Sequence, residues 1–266
     1  MQGTERTEWT ERVIVVTGAG SGIGRATALR FAAAGAAVAV VDIDRSRAEE
    51  TVALIAQTGG RAGAFQADVS QGADVARAID EIVGAFGRID VLINNAAIGG
   101  GDDPLATDEA TWDHVLAVVL KSVFLCTRAV LPHLLRQGRG AIVNVSSVNG
   151  LTGLGEEAYS AAKAGVINFT KNLAIRYGEH GIRANVICPG TIRTPIWAER
   201  VARDPHIFER LAAWYPLGRV GEPDEVAAAA FFLASDAASF ISGAVLTVDG
   251  GLTAGMRRMG RELEGR

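Results

Sequence analysis

Cysteine is scarce: the chain has two, Cys126 and Cys188, both in apolar segments and without metal-ligand spacing. That excludes a disulfide framework and reads as buried free thiols in a reducing compartment. The four histidines, His114, His133, His180 and His206, are scattered without a ligand pattern, so no metal is expected. Hydrophobic residues make up 48% of the chain, yet charges interrupt them, and no apolar run of about eighteen residues marks a membrane span. The opening MQGTERTEWTER lacks the apolar core of a secretory signal, which points to a cytoplasmic protein with a short, loose N-terminus. A formal net charge of -4 gives no electrostatic reason to bind nucleic acid.

What is present is alternation. With 266 residues the chain can bury one large core. Strand-like runs at Val13 to Thr17, Ala37 to Asp42, Ala62 to Asp68, Val91 to Asn94, Ala141 to Ser146, Arg183 to Cys188 and Val245 to Val248 are separated by helical periods. Those periods lie near Ile23 to Ala34, Ser46 to Gln57, Ala73 to Phe86, Glu109 to Arg136, Tyr159 to Tyr177 and Glu222 to Leu233. Short β-branched strands alternating with helices predict an α/β fold: a Rossmann-type, doubly wound parallel sheet of about seven strands in a three-layer αβα sandwich. A barrel is the alternative, and the glycine turn directly after the first strand argues against it.

That turn is VIVVTGAGSGIG. Gly18, Gly22 and Gly24 give G-x-x-x-G-x-G, with Ser21 and Ile23 between them. This is neither the G-x-G-x-x-G fingerprint nor a phosphate loop ending in Gly-Lys-Ser/Thr. Placed between a strand and a helix, it suits a backbone that approaches a pyrophosphate at a helix N-terminus; it equally suits a turn that packs a helix close to a sheet. Asp42 ends the next strand, where a carboxylate can accept from a ribose diol or cap the helix beginning near Ser46. Asp68 and Val69 close the third strand run and could meet an adenine, or simply open a loop. Asn94 and Asn95 follow VLI and can brace a neighbouring loop through side-chain bonds to backbone.

Ser146 and Ser147 end AIVNVSS, and Tyr159 opens YSAAKAGVINFTKNLAIRYG. Tyr159 and Lys163 are four apart and share a helix face. A phenol with an ordinary pKa of about 10 is rarely ionised at neutral pH, and a neighbouring ammonium favours its charged form. An ordinary amphipathic helix with a solvent-facing lysine meets the same spacing.

Together TGAGSGIG, DV, NNAA, VSS, YSAAK and PGTIRTP, in this order between about Val13 and Leu252, resemble the classical short-chain dehydrogenase/reductase family. The resemblance implies an NAD(P)-dependent oxidoreductase in which Tyr159 exchanges a proton with the substrate oxygen. Ser147 would hold that oxygen, and Lys163 would hold the nicotinamide ribose and favour the tyrosinate. Ser146 stays the runner-up, because the family's serine commonly stands thirteen positions before the tyrosine and Ser147 stands twelve before. A one-residue shortening between Gly150 and Tyr159 would reconcile the two. The resemblance also implies that Pro189, Gly190, Ile192 and Thr194 turn across the cofactor. Asp68, Val69 and Asn95 are expected beside it, and the mix of apolar and charged residues from about 191 to 216 suits a substrate lid, or equally a segment packed back onto the body.

NAD is the expected cofactor, because a 2′-phosphate would bring like charge to Asp42; Ser21 agrees, and Arg45 and Arg47 are the residues that a rearranged loop could bring to a phosphate. The expected substrate is a small secondary alcohol or its ketone. Homo-oligomerisation is expected, as a tetramer rather than a dimer, with Arg257, Arg258 and Arg261 in a solvated basic tail. A 3-oxoacyl-thioester reductase is the alternative activity, and a noncatalytic nucleotide-binding regulator the alternative class. Two positions depart from the family pattern. Ala97 replaces the glycine of NNAG, tolerable only at ordinary backbone angles. Val119 replaces an asparagine that helps hold a proton-relay water, which predicts a slower or differently wired enzyme.

Overall fold

The computed structural model describes residues 8–101 and 103–265. Seven parallel strands, β1 (Val13–Thr17), β2 (Ala37–Asp42), β3 (Arg61–Gln66), β4 (Val91–Asn94), β5 (Gly140–Val145), β6 (Ile182–Pro189) and β7 (Val245–Val248), form one sheet in the order β3-β2-β1-β4-β5-β6-β7. The order reverses between β1 and β4, so the crevice beyond their C-terminal ends is where such a sheet takes a ligand.

Alternate residues of β1 feed opposite layers, because a strand's side chains point to the two faces in turn. Ile14 and Val16 join Phe31 and Val38 on one face, whereas Val13 and Val15 join Ile82, Leu92 and Leu134 on the other. The helices are α1 (Gly22–Ala33), α2 (Arg45–Gln57), α3 (Gly72–Phe86), α4 (Glu109–Leu116), α5 (Ser122–Gln137), α6 (Glu157–Tyr177), α7 (Ala198–Arg203), α8 (Ile207–Ala212), α9 (Pro223–Ala234) and α10 (Arg257–Leu263). Coverage on both faces explains why β1, β2 and β4 are buried along their whole length.

Four expectations need correction. The third strand ends at Gln66, so Asp68 and Val69 lie in the turn after it. The expected helix from Glu109 to Arg136 is interrupted by a π-helical turn, Ala117–Lys121, with buried Val119 at its centre. The whole run 109–137 is, by length and composition, apolar enough to cross a membrane; its Val115, Val123, Cys126, Val130 and Leu134 are buried in the core. The N-terminus is not loose where it is described: Trp9 is fully buried between Phe31 and Phe231, at 5.0 and 4.9 Å between ring centroids, and Arg12 pairs with Asp236 at 2.6 Å. Residues 1–7 of that expectation lie outside the described residues.

Candidate active site

The glycine turn lies at the mouth of the crevice. Gly18 and Gly22 stand at φ 62 and φ 52, a region that L side chains enter at a cost of about 1–2 kcal/mol. A Cβ on Gly24 would collide with the Gly18 carbonyl, so this glycine seats α1 against β1. Asn95 braces the turn: its Nδ2 donates to the carbonyls of Thr17 and Gly18 at 3.0 and 3.2 Å. Asp42 accepts from Gly20 N at 2.8 Å and Asp44 N at 3.1 Å. It is Asp44, and not Asp42, that caps α2, by accepting from Ser46 N and Arg47 N.

Ser21 makes no side-chain cap to α1, whose first turn also carries no acid; with Ile23 it forms the edge of the glycine turn. An uncapped N-terminus behind a glycine turn, with a carboxylate at the end of the neighbouring strand, fits a dinucleotide: backbone N–H groups for the diphosphate, Asp42 for a ribose diol. Arg45 and Arg47 are held by Glu49 and Asp44. Asp68 is turned inward to Ser70, accepting from its N and Oγ at 2.9 and 2.7 Å, and Val69 beside it is buried. Across the crevice, β6 ends at Pro189, and Ile192 pairs with Gly221. The Thr194 methyl lies 3.1 Å from where a Gly22 Cβ would stand, so the loop crosses the glycine turn.

At the end of β5 the two serines diverge. Ser146 Oγ donates to the Lys163 carbonyl at 2.8 Å and is buried. Ser147 Oγ donates to Asn149 Oδ1 and accepts from Asn149 N, both at 3.2 Å, and its hydroxyl favours ionisation of the nearby Tyr159 phenol. Thus Ser147, Tyr159 and Lys163 come together, and Ser146 faces away to support α6. Burial pushes the Tyr159 phenol up to about 12; the Ser147 hydroxyl pulls it down, and the Glu156 carboxylate and Cys188 oppose ionisation further.

Lys163 Nζ stands 5.4 Å from the Tyr159 ring centroid and donates to the Val145 carbonyl at 2.7 Å. Its burial brings the ammonium down to about 8. Val119 closes this end of the site with Val115, Ala158 and Ala162, against Tyr159. Ala97 is not at positive φ, so its methyl is accommodated.

Three neighbours escaped the sequence patterns. Cys188 lies near Lys163, its thiol driven up to about 11 by burial. The buried Tyr215 accepts from Thr191 N at 2.6 Å, tying the loop after β6 to the end of α8. Arg257 of the expected solvated tail donates to the carbonyls of Ala213 and Tyr215 at 3.1 and 2.5 Å. All three are joined to the site by contacts between distant segments, which no local spacing encodes.

A family model described as enoyl-(acyl carrier protein) reductase matches residues 18–253. A cis-4-hydroxycyclohexanecarboxylate dehydrogenase of Sinomonas cyclohexanicum is 45% identical over 209 residues, 78% of this chain and 83% of that protein. An uncharacterized oxidoreductase of Schizosaccharomyces pombe is 49% identical over 193 residues, 72% of this chain and 75% of the other. Among solved structures, a short-chain dehydrogenase/reductase family oxidoreductase from Burkholderia thailandensis superposes with a TM-score of 0.89 at 45% identity, covering 96% of this chain and 98% of its own.

Proposed function

The chain belongs to the classical short-chain dehydrogenase/reductase family, as an oxidoreductase of secondary alcohols and their ketones, and we propose that it works with NAD and that Ser147, Tyr159 and Lys163 carry the proton chemistry. The observation that carries this reading is the convergence of Ser147, Tyr159 and the buried Lys163 at the crevice mouth, with Lys163 Nζ 5.4 Å from the Tyr159 ring centroid. Bound there, NAD would accept the hydride in oxidation and return it in reduction. Tyr159 Oη takes the hydroxyl proton of the alcohol, or gives one to the carbonyl oxygen. Ser147 Oγ holds that oxygen, and Asn149 orients Ser147. Lys163 holds the ribose and supplies the positive charge that the buried phenol needs in order to ionise.

Residues 191–216 act as the lid of one nucleotide-binding domain that spans the chain, excluding water from the reacting atoms. The similarity to a hydroxycyclohexanecarboxylate dehydrogenase supports a cyclic secondary alcohol as the substrate class. Absorbance of reduced nicotinamide across cyclic alcohols, sugars, hydroxysteroids and 3-hydroxyacyl thioesters, run in both directions, tests the activity. Cofactor binding with silence across that panel would overturn it in favour of a noncatalytic nucleotide-binding protein. A cytoplasmic homotetramer belongs to the same proposal. Exposed Phe124, Ile175 and Phe240 offer apolar surface to further copies, and light scattering reads the assembly.

Serine roles separate by mutation. Ser147→Ala is expected to lower kcat/KM about a hundredfold, as the loss of a donor to a charge-developing oxygen does. Ser146→Ala should leave turnover near wild type and cost about 1 kcal/mol of stability, since the buried Lys163 carbonyl loses its donor. Steady-state kinetics beside urea denaturation check both, and a reversed pattern would exchange the roles.

Cofactor choice rests on Asp42. Wild type is expected to prefer NAD, and Asp42→Asn to weaken NADH binding about tenfold, in line with the loss of a charged hydrogen-bond acceptor, while narrowing the gap to NADPH. Fluorescence titration with both cofactors measures this. Equal affinities in wild type would remove Asp42 as the selector.

A further inference from the structure

Among the described residues Glu156 is the one non-glycine residue at positive φ, with φ 55 and ψ 64. A residue held there costs about 1–3 kcal/mol unless its surroundings require it. Glu156 precedes α6 at the N-cap, yet its side chain makes no cap. Its carboxylate instead meets the guanidinium of Arg200 on α7, with 21% and 38% of the two side chains exposed. The turn lies within the run from Gly150 to Tyr159, immediately after Gly155 at φ 84.

Arg200 continues into the lid. Its guanidinium lies 5.0 Å from the Trp197 ring centroid, and Trp197 lies 5.7 Å from Phe208 of α8. Arg193 covers Phe208 at 4.4 Å and pairs with Glu222 before α9 at 3.1 Å. A ladder of charge and ring contacts therefore crosses the lid from the start of the catalytic helix to α9. The far end of the lid is pinned separately, by Tyr215 to Thr191 and by Arg257 to the carbonyls after α8.

We propose that Glu156 and Arg200 form the latch that closes the lid over the substrate cleft, and that Glu156 is a positioning residue through which closure reaches Tyr159. This inference rests on the reading of residues 191–216 as a lid and of Tyr159 as the proton carrier. Glu156 lies three residues before Tyr159, and its negative charge opposes formation of the phenolate. Arg200 offsets that charge only when the lid is down, so closure and the acidity of Tyr159 move together. The other groups that bear on the phenol are Ser147 from the end of β5, Cys188 from β6 and Lys163 from α6 itself. None of these belongs to the lid, so the lid's own electrical contact with Tyr159 runs through Glu156.

Glu156→Gln, Arg200→Met and the exchange Glu156→Arg with Arg200→Glu test the latch in the full chain. Chymotrypsin, which cuts at Trp197, Phe208 and Trp214, reads lid opening without any turnover. Each single variant should be cut about fivefold faster than wild type, in proportion to the population opened by loss of the pair, and the exchange should return the rate towards wild type. Equal cutting rates in wild type and both single variants would overturn the latch, whether or not the proposed activity is found.

The pH profile of kcat/KM reads the coupling. Glu156→Gln removes the opposing charge and should move the Tyr159-dependent limb to lower pH. Arg200→Met leaves that charge bare and should move the limb to higher pH. A purely structural pair would move both limbs in the same direction or not at all, and either result would overturn the coupling. A failed alcohol panel with a wild-type cutting pattern that responds to the variants would instead count against the proposed activity and leave the latch standing.

Discussion

Tyr159→Phe is expected to lower turnover roughly a thousandfold, the scale on which a positioned proton donor or acceptor contributes, while NADH affinity stays within about threefold of wild type. The Tyr159 side chain is half-buried, its ring packed against Val115, Val119 and Ala162, so removing one oxygen deletes the proposed proton carrier and leaves that packing in place. Loss should fall on kcat rather than on KM, because the proton moves in the transition state and not in the ground-state complex. Single-turnover hydride transfer, measured beside fluorescence titration of NADH, checks both halves. Retained turnover would transfer the proton role to another group, with Ser147 first in line.

The second large effect is a gain bought by a loss. Lys163 is fully enclosed, and burial draws its ammonium from an ordinary 10.5 down to about 8. The folded protein therefore binds this proton less tightly than the unfolded chain does. The penalty is fully present below about pH 8 and fades as pH rises towards the unfolded value, because between the two the unfolded chain holds more protons and stability climbs with pH. A shift of about two and a half units is worth about 3 kcal/mol. Lys163→Met removes it, together with the 2.7 Å bond to the Val145 carbonyl, worth about 1 kcal/mol. The cofactor-free variant should gain about 2 kcal/mol at pH 7, with the gain shrinking between about pH 8 and 10.5. Urea denaturation over that range measures it. Turnover and NADH binding should fall together, since the ammonium is the positive charge offered to ribose and phenol. A variant no more stable than wild type at pH 7 would mean that the lysine is solvated or paired in solution.

Both expectations concern residues whose spacing is local. Tyr159 and Lys163 share a face of one helix whichever way the chain folds around it. The serines are less legible, because Ser146 and Ser147 are neighbours in extended chain just past β5 and point to opposite sides. Which side holds Tyr159 depends on where α6 packs against β5, and the family spacing, which points to Ser146, does not carry that information. Geometry puts Ser146 on the Lys163 carbonyl and Ser147 on Asn149, where its hydroxyl favours ionisation of the phenol. Val119 presents the same contrast: its identity is plain in WDHVLAVVLKSVF, but the π turn that carries it was read as continuous helix, because one extra residue in a turn hardly disturbs apolar periodicity.

Uninterrupted β-branched runs flanked by glycine turns dictate a parallel sheet covered on both faces, since such strands have no polar side to give to water. The glycines after β1 and the carboxylate at the end of β2 suit a nucleotide crevice, through backbone conformations and charges that act over a few residues. Tertiary structure alone decided that Asp44 and not Asp42 caps α2, that Tyr215 and Arg257 hold the loop after β6 and the chain after α8, and that Glu156 meets Arg200 across 44 positions of chain. Pairings of that kind depend on which surfaces lie together once the core is buried, and burial is a property of the whole sheet rather than of any stretch of sequence.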